Sequence, residues 1–339
     1  MRTQPPDLPP TLLQGTLSQF WDLHDLTLTY NPVGFGSHHW LAEAPDGQCW
    51  FVTVDDHHKG RFEFPPETSF DALDRAMRTA VSLRDLGLDF VVAPIPDHDG
   101  NVLHRLGDSD YSLVLFPFME GKSGDYGKFA SSNDRFETLR LIGHLHNATP
   151  SLPQAMPHRS DLSIPRQGEL AGALDSLDLA WMAGPYADQT RNLLRENRDD
   201  IVRALEIYDR LVTMIKADPT PWVITHGEPH AGNVLRLNDS GKPLLVDWDT
   251  AALAPKERDL WMLLDDSATD WTPYLKVTGD AVVSASAIRM FQMWWDLCEI
   301  AEYASWFRKK HDDSEDARIG WGGLNECLPI KPEVLTTPR

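Results

Sequence analysis

The sequence predicts an α+β fold of two lobes, and three observations predict it. Short strand-like runs and tight turns occupy the chain as far as Pro117. Beyond Phe118 the apolar residues recur at helical spacing over long stretches. A single β signal at 222–246 interrupts those helices, and it carries the densest group of chemistry-bearing side chains in the chain.

In the first part, residues 26–30 (Leu-Thr-Leu-Thr-Tyr), 39–42 and 49–54 read as an antiparallel meander joined by a Gly-containing turn at 34–38 and by Asp46-Gly47. Residues 70–86 have helical spacing and Gly87 follows where that helix ends, while 90–92 and 113–116 read as strands, the second stopped by Pro117. In the second part the spacing predicts helices over 134–147, 169–179, 186–214 with room for an internal break, 258–264 and 281–310. The β signal comprises 222–225, 233–237, a turn at 238–242, and 244–246. Lobe boundaries follow at 1–117 and 118–339, with a helical insertion at about 155–215; the proline-containing termini read as disordered, and there is no internal repeat.

With 339 residues, 42% of them hydrophobic and 12 Trp, the chain can build a sizeable core without covalent staples. Cys49, Cys298 and Cys327 match neither a disulfide framework nor a paired zinc pattern, so a reducing, cytoplasmic setting is expected. Residues 1–16 lack the charged and apolar regions of a secretory signal, and no run approaches the length of a membrane span. A formal charge of −20 argues against nucleic acid as a partner and favours a cationic small molecule, although acidity that merely maintains solubility fits equally well.

The informative segment is Thr225-His226-Gly227-Glu228-Pro229-His230-Ala231-Gly232-Asn233-Val234-Leu235, followed by Leu245-Val246-Asp247-Trp248-Asp249. It sets a carboxylate and, five residues later, an amide on a loop between strands, with a second carboxylate at the end of the next strand. Magnesium takes oxygen ligands and shares them with substrate phosphates, so Asn233 and Asp247 are candidate metal ligands. Glu228 is then the candidate catalytic group that orients an acceptor hydroxyl and takes its proton. Taken singly, His226 bracing the loop and Asp247 capping a turn would suffice; together, in this order, they point to one site.

At these residues the sequence resembles the aminoglycoside phosphotransferase and choline kinase-like family, relatives of protein kinases with the signature His-Gly-Asp-x-x-x-x-Asn followed by Ile-Asp-Trp. The run from Asp247 through Arg258-Asp259-Leu260 is most similar to its spectinomycin phosphotransferase branch. The resemblance implies a bilobal protein-kinase-like fold, a phosphotransferase using ATP or GTP with Mg2+, and an alcohol group as acceptor. It implies that Asn233 and Asp247 hold metal, that Glu228 stands at the catalytic aspartate, and that His226, His230 and Asp259 support the loop. It assigns Gly34, Gly36 and Ser37 to a nucleotide-covering turn, and Phe116, Phe118 and Met119 to an interlobe hinge that pairs with the base. The helix ending in Leu145-His146 resembles the one that supports the catalytic loop.

Three places depart from the family pattern, one of them the turn Gly34-Phe35-Gly36-Ser37-His38 at the position of the nucleotide-covering loop, which retains two glycines and a hydroxyl. Glu228 is one methylene longer than aspartate, and Thr53 stands where the family has a phosphate-binding lysine. Lys59 or Arg61 are candidate substitutes for that lysine, and Asp74 is the nearest match to its acidic partner.

On the predicted C-terminal helix, Ala287, Phe291, Trp294, Cys298 and Ala301 form an apolar stripe. Asp296 and Glu299, with Trp295 and Tyr303, are candidate contacts for a cationic acceptor, and Trp181, Tyr186 and Trp271 are further candidate pocket walls. The reading that follows is phosphorylation of an antibiotic hydroxyl conferring resistance, by a monomer or homodimer. A metabolic kinase of choline, homoserine or a sugar, or a weakly catalytic nucleotide-binding pseudokinase, carries the same motifs.

Overall fold

The structure is a computed structural model that describes residues 1–57, 66–153, 156–265, 269–279 and 282–335. In chain order its elements are α1 (Pro10–Trp21), β1 (Thr27–Tyr30), β2 (His38–Glu43), β3 (Cys49–Asp56), α2 (Pro66–Asp85), β4 (His104–Arg105), β5 (Tyr111–Pro117), β6 (Gly121–Ser123), α3 (Ser132–Asn147) and β7 (His158–Arg159). There follow α4 (Gln167–Asp175), α5 (Ala187–Glu196), α6 (Arg198–Ala217), β8 (Val223–Thr225), β9 (Val234–Leu237), β10 (Pro243–Leu245), β11 (Ala252–Ala254), α7 (Glu257–Leu260), α8 (Thr272–Thr278), α9 (Ala285–Arg308), α10 (Glu315–Cys327) and α11 (Pro332–Leu335). They divide between two compact units, Met1–Ser160 with Pro221–Val282, and Asp161–Thr220 with Val283–Arg339.

In the first unit, five antiparallel strands form a sheet in the order β1-β2-β3-β5-β4. The register sets Val52 opposite Trp40 and Leu115, and Thr53 opposite His39 and Val114. Because strand side chains alternate, these two sets point to opposite faces. The face of Trp40, Val52 and Leu115 is buried against Leu13, Leu17 and Trp21 of α1. Each such leucine contributes about 1.5–3 kcal/mol on burial.

That helix corrects the expectation of a disordered N-terminal stretch. Pro10 opens it, and the four-residue spacing of Leu13, Leu17 and Trp21 gives it one apolar face. On the opposite face of the sheet, α2 covers the β5 end by packing Leu73 and Met77 against Val114 and Phe116, and leaves His39, Phe51 and Thr53 half-buried.

The rest of the first unit carries two small sheets, β10-β9-β6 and β7-β11-β8. The predicted strand at 90–92 is instead a lone parallel bridge, Val91 to Leu245, beside the hydrogen bond from Val92 N–H to the Leu245 carbonyl. Ser131 caps α3 by accepting the Asp134 N–H at 3.1 Å, and α3 ends as it delivers His146 into the interior.

In the second unit, α9 buries the predicted stripe of Ala287, Phe291, Trp294, Cys298 and Ala301. The predicted start of that helix, at 281, lies outside the described residues. The helix foreseen over 186–214 is broken at Asn197, whose side-chain amide donates to the Leu193 carbonyl at 2.8 Å. Helix α10 was not foreseen, since Gly320, Gly322 and Gly323 weaken its local propensity. It forms because Gly320 and Gly323 admit the ring of Tyr303, which a side chain at either place would meet at 3.2 Å or less.

Candidate active site

The loop between β8 and β9 is held from beneath by Asp259 of α7. One carboxylate oxygen, Oδ1, accepts the Gly227 N–H at 2.6 Å, and Oδ2 accepts the His226 N–H at 2.9 Å and a hydrogen bond from His146 Nε2 at 3.0 Å. Nδ1 of His146 is bonded in turn to the Tyr274 hydroxyl at 2.9 Å. Burial pushes the Asp259 carboxyl up, but the hydrogen bonds it accepts from His146 and from the Gly227 N–H hold it below the ordinary carboxylate value.

Gly227 is required where it stands. Its φ of +100° lies outside the range side chains favour, and a Cβ would come within 2.5 Å of Thr250 Oγ1 and 2.6 Å of Arg258 Nη1. Arg258, fully buried, uses Nη1 to bond Thr225 Oγ1 and the Thr250 carbonyl, and the Thr250 hydroxyl donates to the His226 carbonyl at 2.8 Å.

His226 couples the two halves of the site. Its Nε2–H donates to the Val246 carbonyl at 2.9 Å, while Nδ1 accepts the Glu228 N–H at 3.3 Å, which assigns the neutral tautomer. Burial pushes this imidazole below the usual histidine value, and the opposing charge of Asp259 does not reverse that. One ring therefore fixes both the backbone of Glu228 and the residue preceding Asp247. Trp248 packs its ring edge-on against His226 at 4.7 Å.

Asn233 joins the same network. Its Nδ2 donates to the Glu228 carbonyl at 3.0 Å, and its own carbonyl accepts the Val246 N–H at 3.1 Å. Because the amide nitrogen is committed to a carbonyl, Oδ1 is the atom Asn233 offers to a cation. Asp247 follows Val246 with φ of +67°, an uncommon backbone state for a residue with a side chain, of the kind that concentrates at functional sites. The donor set of Asn233 Oδ1 and the Asp247 carboxylate is all oxygen and fits magnesium shared with phosphates.

Glu228 is partly exposed, and His230 Nε2 approaches its Oε2 to 3.8 Å, beyond hydrogen-bond range. The His230 ring lies edge-on to Tyr126 and over Gly232.

The nucleotide-turn candidates lie in the connection between β1 and β2. Gly34 and Gly36 both have positive φ, +68° and +100°. The Ser37 hydroxyl donates at 2.5 Å to the buried carboxylate of Asp55 on β3, so its side chain braces the turn. Thr53 Oγ1 is bonded to His39 Nδ1 at 3.2 Å. Lys59 and Arg61 lie outside the described residues. Asp74 accepts from Arg78 one turn along α2 at 2.7 Å. Of the hinge candidates, Phe116 lies opposite Phe51, Phe118 is exposed, and Met119 lines a cleft of about 180 Å³ with Pro117, Val92, Leu237 and Leu244.

In the second unit, Asp296, Glu299 and Trp295 are half-buried, whereas Tyr303 is turned inward against α10. Burial pushes the Asp296 carboxyl up to about 6, with Lys331 acting in the opposite sense. The Tyr186 hydroxyl donates to Asp313 at 2.6 Å while its ring stacks on His311 and Trp321, and Trp181 lies under the Arg308 guanidinium. Trp271 belongs to the first unit, at the start of α8.

Four residues of this constellation were not singled out in the sequence: His39, Asp55, Thr250 and Tyr274. The first two share strand alternation with Thr53 and Ser37 and were open to discovery from the β2–β3 register. The other two are joined to the loop by chain folding alone.

An amide and a carboxylate stand at the adjoining ends of β9 and β10, with a second carboxylate on the β8–β9 loop; these are groups that phosphoryl transfer can use, and the fold is protein-kinase-like. Comparison with known proteins agrees. Residues 27–283 match the model of the phosphotransferase enzyme family, and the chain belongs to that family. It is accordingly a phosphotransferase.

Protein StrN of Streptomyces griseus is 28% identical over 267 residues, covering 75% of this chain and 76% of its own length. The crystal structure of a spectinomycin phosphotransferase in complex with ADP and spectinomycin shares the fold with a TM-score of 0.72 at 16% identity, over 98% of this chain and 97% of that one. A microcompartment-associated aminopropanol kinase does so with a TM-score of 0.58 at 16% identity, over 94% and 95%. Among the described residues no helix is long and apolar enough to cross a membrane.

Proposed function

We propose that the protein transfers the γ-phosphate of ATP or GTP to a hydroxyl of an antibiotic, an aminoglycoside, an aminocyclitol or another natural product, and so confers resistance. The nucleotide lobe is residues 1–117 and the catalytic and substrate lobe 118–339. The observation that carries this reading is the His226 bridge: one neutral imidazole ties Glu228 to the strand end that bears Asp247, while Asn233 is bonded to both neighbours.

In this reading Asn233 and Asp247 hold Mg2+, which neutralises charge on the transferring phosphate. Glu228 orients the acceptor hydroxyl and takes its proton as the oxygen bonds to the γ-phosphorus and the nucleoside diphosphate departs. His226, His230 and Asp259 keep the loop in register. Gly34, Gly36 and Ser37 form the turn over the phosphates, with Thr53 beneath it, and the backbone at Phe116, Phe118 and Met119 pairs with the base. Asp296 and Glu299, beside Trp295, attract a cationic acceptor, which the net charge of −20 also favours.

A panel of acceptors with labelled ATP and GTP tests the proposal. Transfer to an antibiotic hydroxyl supports it, and transfer confined to choline-like, homoserine-like or sugar acceptors replaces it with a metabolic kinase. The pseudokinase reading is favoured by Thr53 and Glu228 at two positions where kinases are strict. It wins if nucleotide binds with magnesium and neither an acceptor nor water ever receives phosphate.

A further inference from the structure

We propose that His230 is the positioning residue of Glu228: its Nε2–H engages one oxygen of that carboxylate and leaves the other to the acceptor hydroxyl. The inference rests on the reading of Glu228 as the group that takes the proton, and deepens it by giving His230 a hydrogen bond to make instead of a bracing role alone.

Three observations carry it. Among the described residues no hydrogen bond holds the Glu228 carboxylate, and its sole ion-pair contact is His230, whose Nε2 lies 3.8 Å from Oε2. The His230 ring is held by packing, edge-on to Tyr126 with centroids 4.8 Å apart and about the same place where a side chain on Gly232 would begin, 3.0 Å from Cε1 and 3.1 Å from Nδ1. That packing buries Nδ1 without giving it a hydrogen-bond partner. The backbone beneath both side chains is fixed: the Glu228 N–H donates to His226 Nδ1, the Glu228 carbonyl accepts from Asn233 Nδ2, and the His230 carbonyl accepts the Asn233 N–H at 3.0 Å. Only the side chains are left to adjust.

The chemistry follows from those contacts. A buried N–H without a partner is less tolerated than a bare lone pair, so the unpartnered Nδ1 puts the ring's proton on Nε2, the nitrogen beside Glu228. A charge-assisted N–H···O bond closes to about 2.7–2.9 Å, and catalytic hydrogen bonds are commonly long until the substrate is bound. The Glu228 side chain is 24% exposed and has one more torsion than aspartate, so rotation of its carboxylate shortens the 3.8 Å gap while the packed ring stays in place. With Oε2 engaged by His230, Oε1 is the oxygen presented to the acceptor hydroxyl. The longer acid and the histidine two residues on thus act as a pair.

Two substitutions in the full-length protein separate this from a packing role. His230→Phe keeps a ring against Tyr126 and Gly232 and removes the donor, whereas His230→Gln gives up the ring and returns an N–H donor. With ATP, magnesium and the panel acceptor that wild type phosphorylates, kcat of His230→Phe is expected to fall about tenfold or more with both KM values held, and His230→Gln to recover most of that loss. In a Glu228→Gln background, His230→Phe is expected to cost nothing further. If His230→Phe does not fold, His230→Leu is read in its place. An active Phe variant beside an impaired Gln variant, equal losses in the two, or a Phe effect undiminished in the Glu228→Gln background overturns the inference and leaves Glu228 as the base. Nitrogen NMR of labelled histidine needs no acceptor: a proton on Nε2 of His230, with a resonance that moves in Glu228→Gln, is expected, and a proton on Nδ1 alone overturns the inference. Wild-type turnover by Glu228→Gln, or a wild type that phosphorylates no acceptor, overturns the underlying reading and this inference with it.

Discussion

Asp259 Oδ1 accepts the backbone N–H of Gly227 at 2.6 Å, deep in the first unit, and this bond makes the β8–β9 loop an extension of α7 rather than a free connection. Through Oδ2 the same carboxylate holds the His226 N–H and His146, so three donors depend on one side chain.

Removing it strands those donors. Asp259→Ala is expected to lower the free energy of unfolding by at least about 3 kcal/mol, the cost of leaving several buried polar groups unsatisfied, and to abolish turnover. Denaturant unfolding checks this, and stability equal to wild type would show that the loop is held by other means.

Gly227→Ala approaches the same loop from above. The added methyl meets Thr250 and Arg258 at under 3 Å in a backbone state that penalises any Cβ. A loss of about 1–3 kcal/mol from crowding, with a further cost from the left-handed backbone, is expected in thermal or denaturant melts. Ala at this position with unchanged stability would contradict the tight packing of the loop on Arg258.

The pH dependence of stability follows from His226. Its folded-state pKa lies below the ordinary value, so the unfolded chain takes up a proton near pH 6.5 that the folded protein resists. Stability from this group is therefore present above about pH 6.5 and is lost as pH falls below it. Melting temperatures from pH 8 to 5 are expected to fall, and the imidazole signal of His226 is expected to remain that of the neutral ring at pH 6. An imidazolium signal there would remove His226 as the bridge described above.

Asp296 gives the opposite sign. Its carboxyl is raised to about 6, so the folded protein keeps a proton that the unfolded chain releases near pH 4, and the favourable contribution disappears as pH rises past 6. Asp296→Asn is expected to melt above wild type at pH 8, with the gap closing near pH 4. An equal gap at both pH values would mean that the carboxylate is well solvated.

Glu228→Gln keeps the size of the side chain and removes its basicity. Nucleotide binding is expected to be preserved and kcat to fall by about 10²- to 10⁴-fold. Turnover equal to wild type would exclude Glu228 as the group that takes the proton. Glu228→Asp then reports whether the loop, through Pro229 and the Asn233 bond, is built for the longer acid.

Much of this was legible in the sequence because it is local. The alternation of Trp50 through Val54 fixes a strand, and the four- and three-residue steps from Ala287 to Ala301 fix a buried helix face. The loop motif names Glu228, Asn233 and Asp247 by spacing alone. What escaped depends on distant packing. Pro10–Trp21 is a helix because the sheet of Trp40 and Val52 needs a cover, and a proline-containing segment conceals that need. Glycines conceal α10, whose partner is Tyr303. The bond between His39 and Thr53 links residues fourteen apart in sequence and becomes visible with the β2–β3 register.

The central claim is that Asn233 and Asp247 jointly hold the cation that accompanies the nucleotide. Its most direct test is calorimetric titration of ATP with and without magnesium into wild type and Asp247→Ala. The account predicts that magnesium strengthens ATP binding to wild type, and that Asp247→Ala loses this gain by about tenfold or more while adenosine binding is unaltered. An Asp247→Ala protein that binds ATP with the full magnesium dependence of wild type would contradict it.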